Sequence, residues 1–202
     1  RRIAVLTGRR NISTSIDRVA GCRRALEEAG LSLPDELVHW GGFNFGKLNQ
    51  ADGHRMAQEV LVAEGEQPTA IFCANNFIGF GAIRALREAG LRVPDDMSVV
   101  AFDDLPEEWV SEPFLTVAAQ PAYEIGRRAV TLLLDHIAGD DEPSGQSVVL
   151  PFELIIRRSS GPPPVSPRAL VAAAPGSSIV AAVPAGGIAP APASGIAAPA
   201  HA

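Results

Sequence analysis

Two adjacent carboxylates, two adjacent asparagines and one arginine are the groups in this sequence best suited to meet a small polar molecule. Ala101-Phe102-Asp103-Asp104 closes an apolar run. A carboxylate pair there can serve as acid and base, as metal ligands, or as acceptors for hydroxyls. A metal ion would need more oxygens than this cluster offers, and a simple turn before Leu105-Pro106 uses Asp in the same position. Cys73-Ala74-Asn75-Asn76 offers an amide pair, of which Asn76 reads as the cap of a following helix and Asn75 as the residue left to face a ligand. Arg18 reads as opening a helix after a loop over residues 7–16. Its planar fork suits a carboxylate or vicinal hydroxyls, and a cation at a helix N-terminus opposes the macrodipole, so a ligand or acidic partner should compensate it.

Two further loops are less specific. Gly8-Arg9-Arg10-Asn11 matches neither of the glycine-rich phosphate-binding spacings and reads as a solvated loop. Trp40-Gly41-Gly42-Phe43-Asn44-Phe45-Gly46 combines mobile glycines with rings that either stack on a ligand or plug the edge of the core. Gly-x-Ser-x-Gly and His-Glu-x-x-His are both absent, and His39, His54, His136 and His201 neighbour no motif. An enzymatic reading therefore rests on Asp103 and Asp104 alone. The expectation is a protein that is not an enzyme, with no cofactor and no metal.

These groups need strand ends to hold them. Apolar runs at residues 3–6, 36–39, 69–73 and 98–102 alternate with helix-period segments, which predicts an α/β domain with a parallel sheet flanked by helices. Ligands of such folds sit at the carboxyl ends of the strands. A first helix over residues 17–29 carries Val19, Cys22, Leu26 and Ala29 on one stripe and stops at Gly30. A second over 51–64 carries Met56, Ala57, Val60 and Leu61. A third over 77–89 turns Gly79, Ala82, Ile83, Leu86 and Ala89 to the sheet and leaves Phe77 and Phe80 off the stripe, for a loop or another subunit to cover. Ala25-Leu26-Glu27-Glu28-Ala29-Gly30-Leu31 recurs as Ala85-Leu86-Arg87-Glu88-Ala89-Gly90-Leu91, each copy followed by a Pro-Asp turn, so both mark a helix stop before a new strand.

Composition narrows the class. The 202 residues are 47% hydrophobic and 20% charged, enough to bury a core, and the net charge of −6 repels a polyanion such as DNA. Cys22 and Cys73 lack metal-ligand spacing and read as packed thiols in a reducing, cytoplasmic setting. No run approaches the ~18 apolar residues a membrane span needs. Arg1-Arg2-Ile3 enters an apolar run at once, without Met, and reads as a start inside a longer chain. From Gly161 onward the composition shifts to Ala, Pro, Gly, Val and Ser. Nine of the 17 prolines fall there, which forbids regular helix and predicts a low-complexity, disordered tail over residues 161–202.

Four separated motifs then agree with one family. Asp17-Arg18-Val19-Ala20-Gly21, Pro68-Thr69-Ala70-Ile71-Phe72-Cys73-Ala74-Asn75-Asn76, the stretch from Gly90-Leu91-Arg92-Val93-Pro94-Asp95 to Phe102-Asp103-Asp104, and Pro113-Phe114-Leu115-Thr116-Val117-Ala118-Ala119-Gln120-Pro121 resemble, in order and spacing over about residues 3–158, the effector-binding region of the lactose repressor and purine repressor family. The resemblance implies one lobe of a two-lobed, periplasmic-binding-protein-like fold. Residues 1–120 would form the C-terminal lobe. Residues 121–160 would form a crossover segment belonging partly to a first lobe that is missing here, plus a returning strand, and the helix stripe Ile125, Ala129, Leu133 and Ile137 would lack its main partner.

By the same resemblance Arg18, Asn75 and Asp103 would grip the effector, a sugar, nucleobase or similar small polar metabolite. Gln120 would touch it where the chain crosses between lobes. Phe43 and Phe45 compete with Leu48 as the stacking residue. The third helix, through Phe77, Phe80 and Arg84, would form a homodimer interface. Operator DNA would be reached only through an N-terminal helix-turn-helix, with ligand-driven lobe rearrangement as the means of regulation. The alternatives are a periplasmic sugar-binding protein of a transporter and an α/β enzyme using Asp103 and Asp104.

Overall fold

The computed structural model describes residues 2–42, 47–105, 112–139 and 147–164. Its elements run β1 (Ile3–Thr7), α1 (Ser13–Glu28), β2 (Val38–Trp40), α2 (Lys47–Val62), β3 (Ala70–Cys73), α3 (Asn76–Glu88), β4 (Ser98–Phe102), β5 (Thr116–Ala119), α4 (Ala122–Ala138) and β6 (Glu153–Ile155). They build one six-stranded sheet in the order β2-β1-β3-β4-β5-β6. The first four pairings across it are parallel and β6 runs antiparallel on β5. The chain thus forms the expected α/β parallel sheet flanked by helices, with an antiparallel edge.

Strand order dictates the layers. The chain steps from β1 to β2 in one direction, then back across β1 to β3 and on to β4. Right-handed crossovers therefore put α1 on one face and α2 with α3 on the other. The core divides accordingly. Val5, Val19, Leu26, Leu33, Leu37 and Val38 pack on the α1 face. Ala4 and Leu6, the alternate residues of β1, join Met56, Val60, Ile71, Cys73, Leu86, Val99 and Val117 on the other. Cys73 is fully buried and Cys22 half-buried, both as free thiols, and burial raises the pKa of each.

Where sequence expectation and structure differ, local hydrogen bonding explains the difference. Helix α1 starts at Ser13, four residues before the expected start, because the Ser15 and Ile16 amides both donate to the Ile12 carbonyl at 3.0 and 3.1 Å. Arg18 therefore stands in the second turn and not at the helix opening, and the macrodipole argument for it falls away. Residues 35–37 form a 3₁₀ turn, so β2 is only Val38–Trp40. Ala29 and Ala89, expected on the buried stripes of their helices, are exposed at the caps. Gly30 and Gly90 do adopt left-handed backbone, with φ of 71° and 73°, each ahead of a Leu amide that returns to the helix at 2.8 and 2.9 Å. Gly161, the first residue of the expected tail, exchanges hydrogen bonds with the Ser98 hydroxyl at 3.1 and 3.3 Å. Residues 165–202 lie outside the described residues.

Helices α2 and α3 approach at backbone contact. A methyl at Gly81 would sit 2.0 Å from the Gln50 carbonyl oxygen, and one at Gly53 would sit 2.2 Å from the Ile78 carbonyl oxygen. By contrast α4 buries no residue and leaves Tyr123, Val130, Leu133, Leu134 and Ile137 exposed. No helix among the described residues is long and apolar enough to cross a membrane.

Gly81→Ala and Gly53→Ala should each lower unfolding free energy by roughly 1–3 kcal/mol, since the helices must separate. Gly126→Ala in α4, where a methyl meets nothing within 4 Å, should raise it by about 0.5–1 kcal/mol. Urea unfolding of the three variants measures both signs.

Candidate functional site

The carboxyl ends of β1, β3, β4 and β5 lie side by side because those strands are consecutive neighbours in the sheet. Asp103 leaves β4 in left-handed backbone, φ 67°, the one such non-glycine among the described residues. That conformation costs a non-glycine residue on the order of 1 kcal/mol and persists only where the surroundings impose it. Here the Asp103 amide donates to the Ala118 carbonyl at 3.0 Å, tying the turn to β5.

Its carboxylate gathers two of the expected site residues. Gln120, one residue past β5, donates its side-chain amide to Asp103 Oδ1. Arg18 brings Nη2 within 3.9 Å of Oδ2. The guanidinium also donates from Nη1 to the Ala74 carbonyl at 2.6 Å and lies 4.2 Å from the centre of the Phe102 ring. Burial lowers the Arg18 pKa from its ordinary value and the Asp103 carboxylate opposes that shift. A planar cation, held flat and only partly neutralised, leaves N–H groups available to an acceptor.

The asparagine pair divides its work the other way from expectation. Asn75, not Asn76, caps α3, accepting from the Ile78 amide at 2.8 Å. Asn76 is buried and donates to the Asp104 carbonyl at 3.1 Å. Only the oxygen of Asn75 is used by the cap, so capping and contact with a ligand through its amide nitrogen are compatible.

Asp104 parts company with Asp103. Both of its oxygens face Arg157, at 2.8 Å from Nη1 and 2.5 Å from Nη2, and Oδ1 also accepts from the Leu105 amide at 2.9 Å. The hydrogen-bonded guanidinium holds this carboxyl below its ordinary value of 3.8. A carboxyl held ionised by a bidentate arginine, as Asp104 is, is a poor candidate for the proton-holding member of an acid–base pair. Arg157 was missed by sequence reading. It lies 53 residues from Asp104. The one signal was a charged residue directly after the apolar run Leu154-Ile155-Ile156.

Elsewhere, Arg10 lies 5.1 Å over the Trp40 ring at the end of β2. Phe43 and Phe45, the expected stacking residues, lie outside the described residues, and the Leu48 side chain does too. On α3, Phe77 and Phe80 are half-buried, and Phe80 packs against the main core and lines a cleft of about 170 Å³ with Phe114, Leu115, Asp104 and Arg157. Part of the cover for Phe80 is therefore this chain's own. Arg84 is exposed and pairs with Glu88 at 2.8 Å. Among the described residues no group of three or more His, Cys, Asp or Glu is placed to hold a metal ion.

Residues 1–160 match the family model for a periplasmic binding protein-like domain. Over 161 residues the chain is 38% identical to the HTH-type transcriptional repressor PurR of Haemophilus influenzae, covering 79% of this chain and 46% of that one. Among solved structures it resembles the transcriptional regulator CelR in its cellobiose complex, with TM-score 0.67, 32% identity and coverage of 79% and 47%. It also resembles a LacI-family regulatory protein from Chloroflexus aggregans, with TM-score 0.68, 32% identity and coverage of 80% and 56%. The chain spans about half the length of these relatives.

Because the folded pKa of Asp104 is depressed, its ion pair stabilises the fold fully above the ordinary value of 3.8 and ceases to do so as pH falls through the lower, folded value. Wild type should exceed Asp104→Asn in unfolding midpoint at neutral pH, and the gap should close below about pH 3.8 in a pH series of thermal unfolding.

Proposed function

The chain belongs to the periplasmic binding protein-like domain family and matches the effector-binding region of LacI- and PurR-type regulators, and on that premise we propose that it is the effector-sensing lobe of a DNA-binding transcription regulator. The observation that carries the reading is the convergence of the Arg18 guanidinium, the Asp103 carboxylate and the Gln120 amide, from separate elements, where parallel strands end. With the free amide nitrogen of Asn75, these groups offer both donors and acceptors, the set needed to grip ring hydroxyls or a nucleobase edge. The effector class is a sugar, a nucleobase or a similar small polar metabolite.

Helix α4 supports a second lobe. It carries its apolar residues outward, and Val149, Phe152 and Ile156 of the following segment are 87%, 60% and 73% exposed. Surfaces of that kind are covered in a working protein. In this reading they pack into a first lobe of the intact regulator, and effector binding rearranges the lobes as rigid bodies. Phe77, Phe80 and Arg84 of α3 form the homodimer face. DNA contact belongs to a helix-turn-helix outside these 202 residues, in keeping with the acidic charge of the chain. The setting is cytoplasmic. The enzyme alternative is disfavoured by the commitment of Asp104 to Arg157, and no particular observation favours a transporter's binding protein.

Calorimetric titration of the chain with a panel of sugars and nucleobases tests this. One class should bind, weakly for a single lobe, and Asp103→Asn should weaken it further by about 10- to 100-fold, the cost of a lost charge-assisted hydrogen bond. Turnover of a panel compound that disappears in Asp103→Asn would contradict the reading in favour of an enzyme. Sequence-specific retention of DNA by these 202 residues alone, in a low-salt gel shift, would contradict it as well.

A further inference from the structure

We propose that Arg157 is a positioning residue for the effector-facing carboxylate of Asp103, acting through the neighbouring Asp104; the inference rests on the effector-site reading of Asp103. The guanidinium of Arg157 bonds to Asp104 and to the Leu115 carbonyl, groups not assigned to the effector. It lines the cleft beside Phe80, Ile83 and Phe114, on the α3 side of the sheet. Its grip is on the turn that carries Asp103.

Three contacts bracket that turn. The Asp103 amide is bonded to the Ala118 carbonyl of β5. The Asp104 carbonyl accepts from the buried Asn76 side chain of α3. The Asp104 carboxylate is held by both terminal nitrogens of Arg157, whose Nη1 also donates to the Leu115 carbonyl at 3.0 Å. The first two contacts fix positions along the backbone. The bidentate pair, together with the Leu105 amide on Oδ1, fixes an orientation, because two parallel bonds to a planar fork remove rotation of the carboxylate. Asp103 is the left-handed residue directly before this fixed group, and a left-handed non-glycine residue reverts to extended backbone when its surroundings cease to impose it. Reversion would swing its carboxylate away from Arg18 and Gln120.

The arginine is itself anchored for this task. Its amide donates to the Thr116 hydroxyl at 2.9 Å, and that hydroxyl donates to the Arg157 carbonyl at 3.1 Å. Two residues on, the fully buried Ser159 donates to the Val99 carbonyl at 2.6 Å and accepts from the Thr116 amide at 2.7 Å. The segment after β6 is thereby sewn across β4 and β5, so the guanidinium reaches the turn from a rigid base.

Native-state hydrogen exchange, read by NMR on the labelled full chain, tests the assignment without any ligand. In Arg157→Lys, which keeps the charge and loses the fork, and in the isosteric Asp104→Asn, the Asp103 amide should exchange faster by a factor about tenfold greater than the core amide of Ile71, which reads the global loss of stability. Should Arg157→Lys fail to fold, Asp104→Asn carries the same readout. An Asp103 amide as protected as in wild type overturns the proposal, and so does an Ile71 amide accelerated by as large a factor as Asp103, which would mark general destabilisation alone. Titration with the sugar and nucleobase panel separates the two readings. Faster exchange at Asp103 with weakened binding supports both. Faster exchange in the variants, with a wild-type chain that binds no panel compound, supports the positioning role and sinks the effector reading. Unchanged exchange with normal binding sinks the positioning role alone.

Discussion

Asp103 is held in left-handed backbone at the end of β4, and the arrangement at the strand ends depends on that one constrained residue. Through its amide it ties the β4 turn to β5, and through its carboxylate it meets an arginine from α1 and a glutamine from beyond β5. The change of backbone hand also sends the next carboxylate elsewhere, into the bidentate pair with Arg157. Two chemically identical neighbours thus acquire different jobs. Asp103 stays partly exposed beside groups with spare hydrogen-bonding capacity, whereas Asp104 is committed to holding the turn.

Sheet order makes this possible. Because β1, β3, β4 and β5 are neighbours, residues distant in sequence emerge within reach of one another: Arg18 in the helix after β1, Asn75 after β3, Asp103 after β4 and Gln120 after β5. The layer of α2 and α3 beneath is drawn tight through Gly53 and Gly81, which gives α3 and its Asn75 cap a firm seat. The far side is different in kind. Helix α4 and the segment leading into β6 present apolar residues outward.

Much of this was legible in the sequence, and the reasons are physical. Strand and helix periods placed the first four strands and the three helices between them to within four residues, and the repeated Ala-Gly-Leu stop marked Gly30 and Gly90, two of the left-handed glycines, correctly. The strand-end residues could be named because parallel α/β folds put ligands there and because the motifs resembled a known family. What escaped was set by long-range or backbone-level detail. The start of α1 turned on amides reaching the Ile12 carbonyl, not on side-chain type. The choice between Asn75 and Asn76 as cap turned on one residue of register, since Asn76 was claimed by the Asp104 carbonyl. The Arg157 pair and the Gly53–Gly81 contact each join segments whose proximity exists only once the sheet is built.

The strand-end groups around Asp103 are proposed as the recognition surface for a small polar metabolite. Chemical-shift mapping of the labelled chain during titration with sugars and nucleobases tests it most directly. The amide and side-chain signals of Arg18, Asn75, Asp103 and Gln120 should move together and saturate with one compound class. Perturbations that instead cluster around Phe80 and Phe114 on the α3 side, leaving those four residues unmoved, would contradict it.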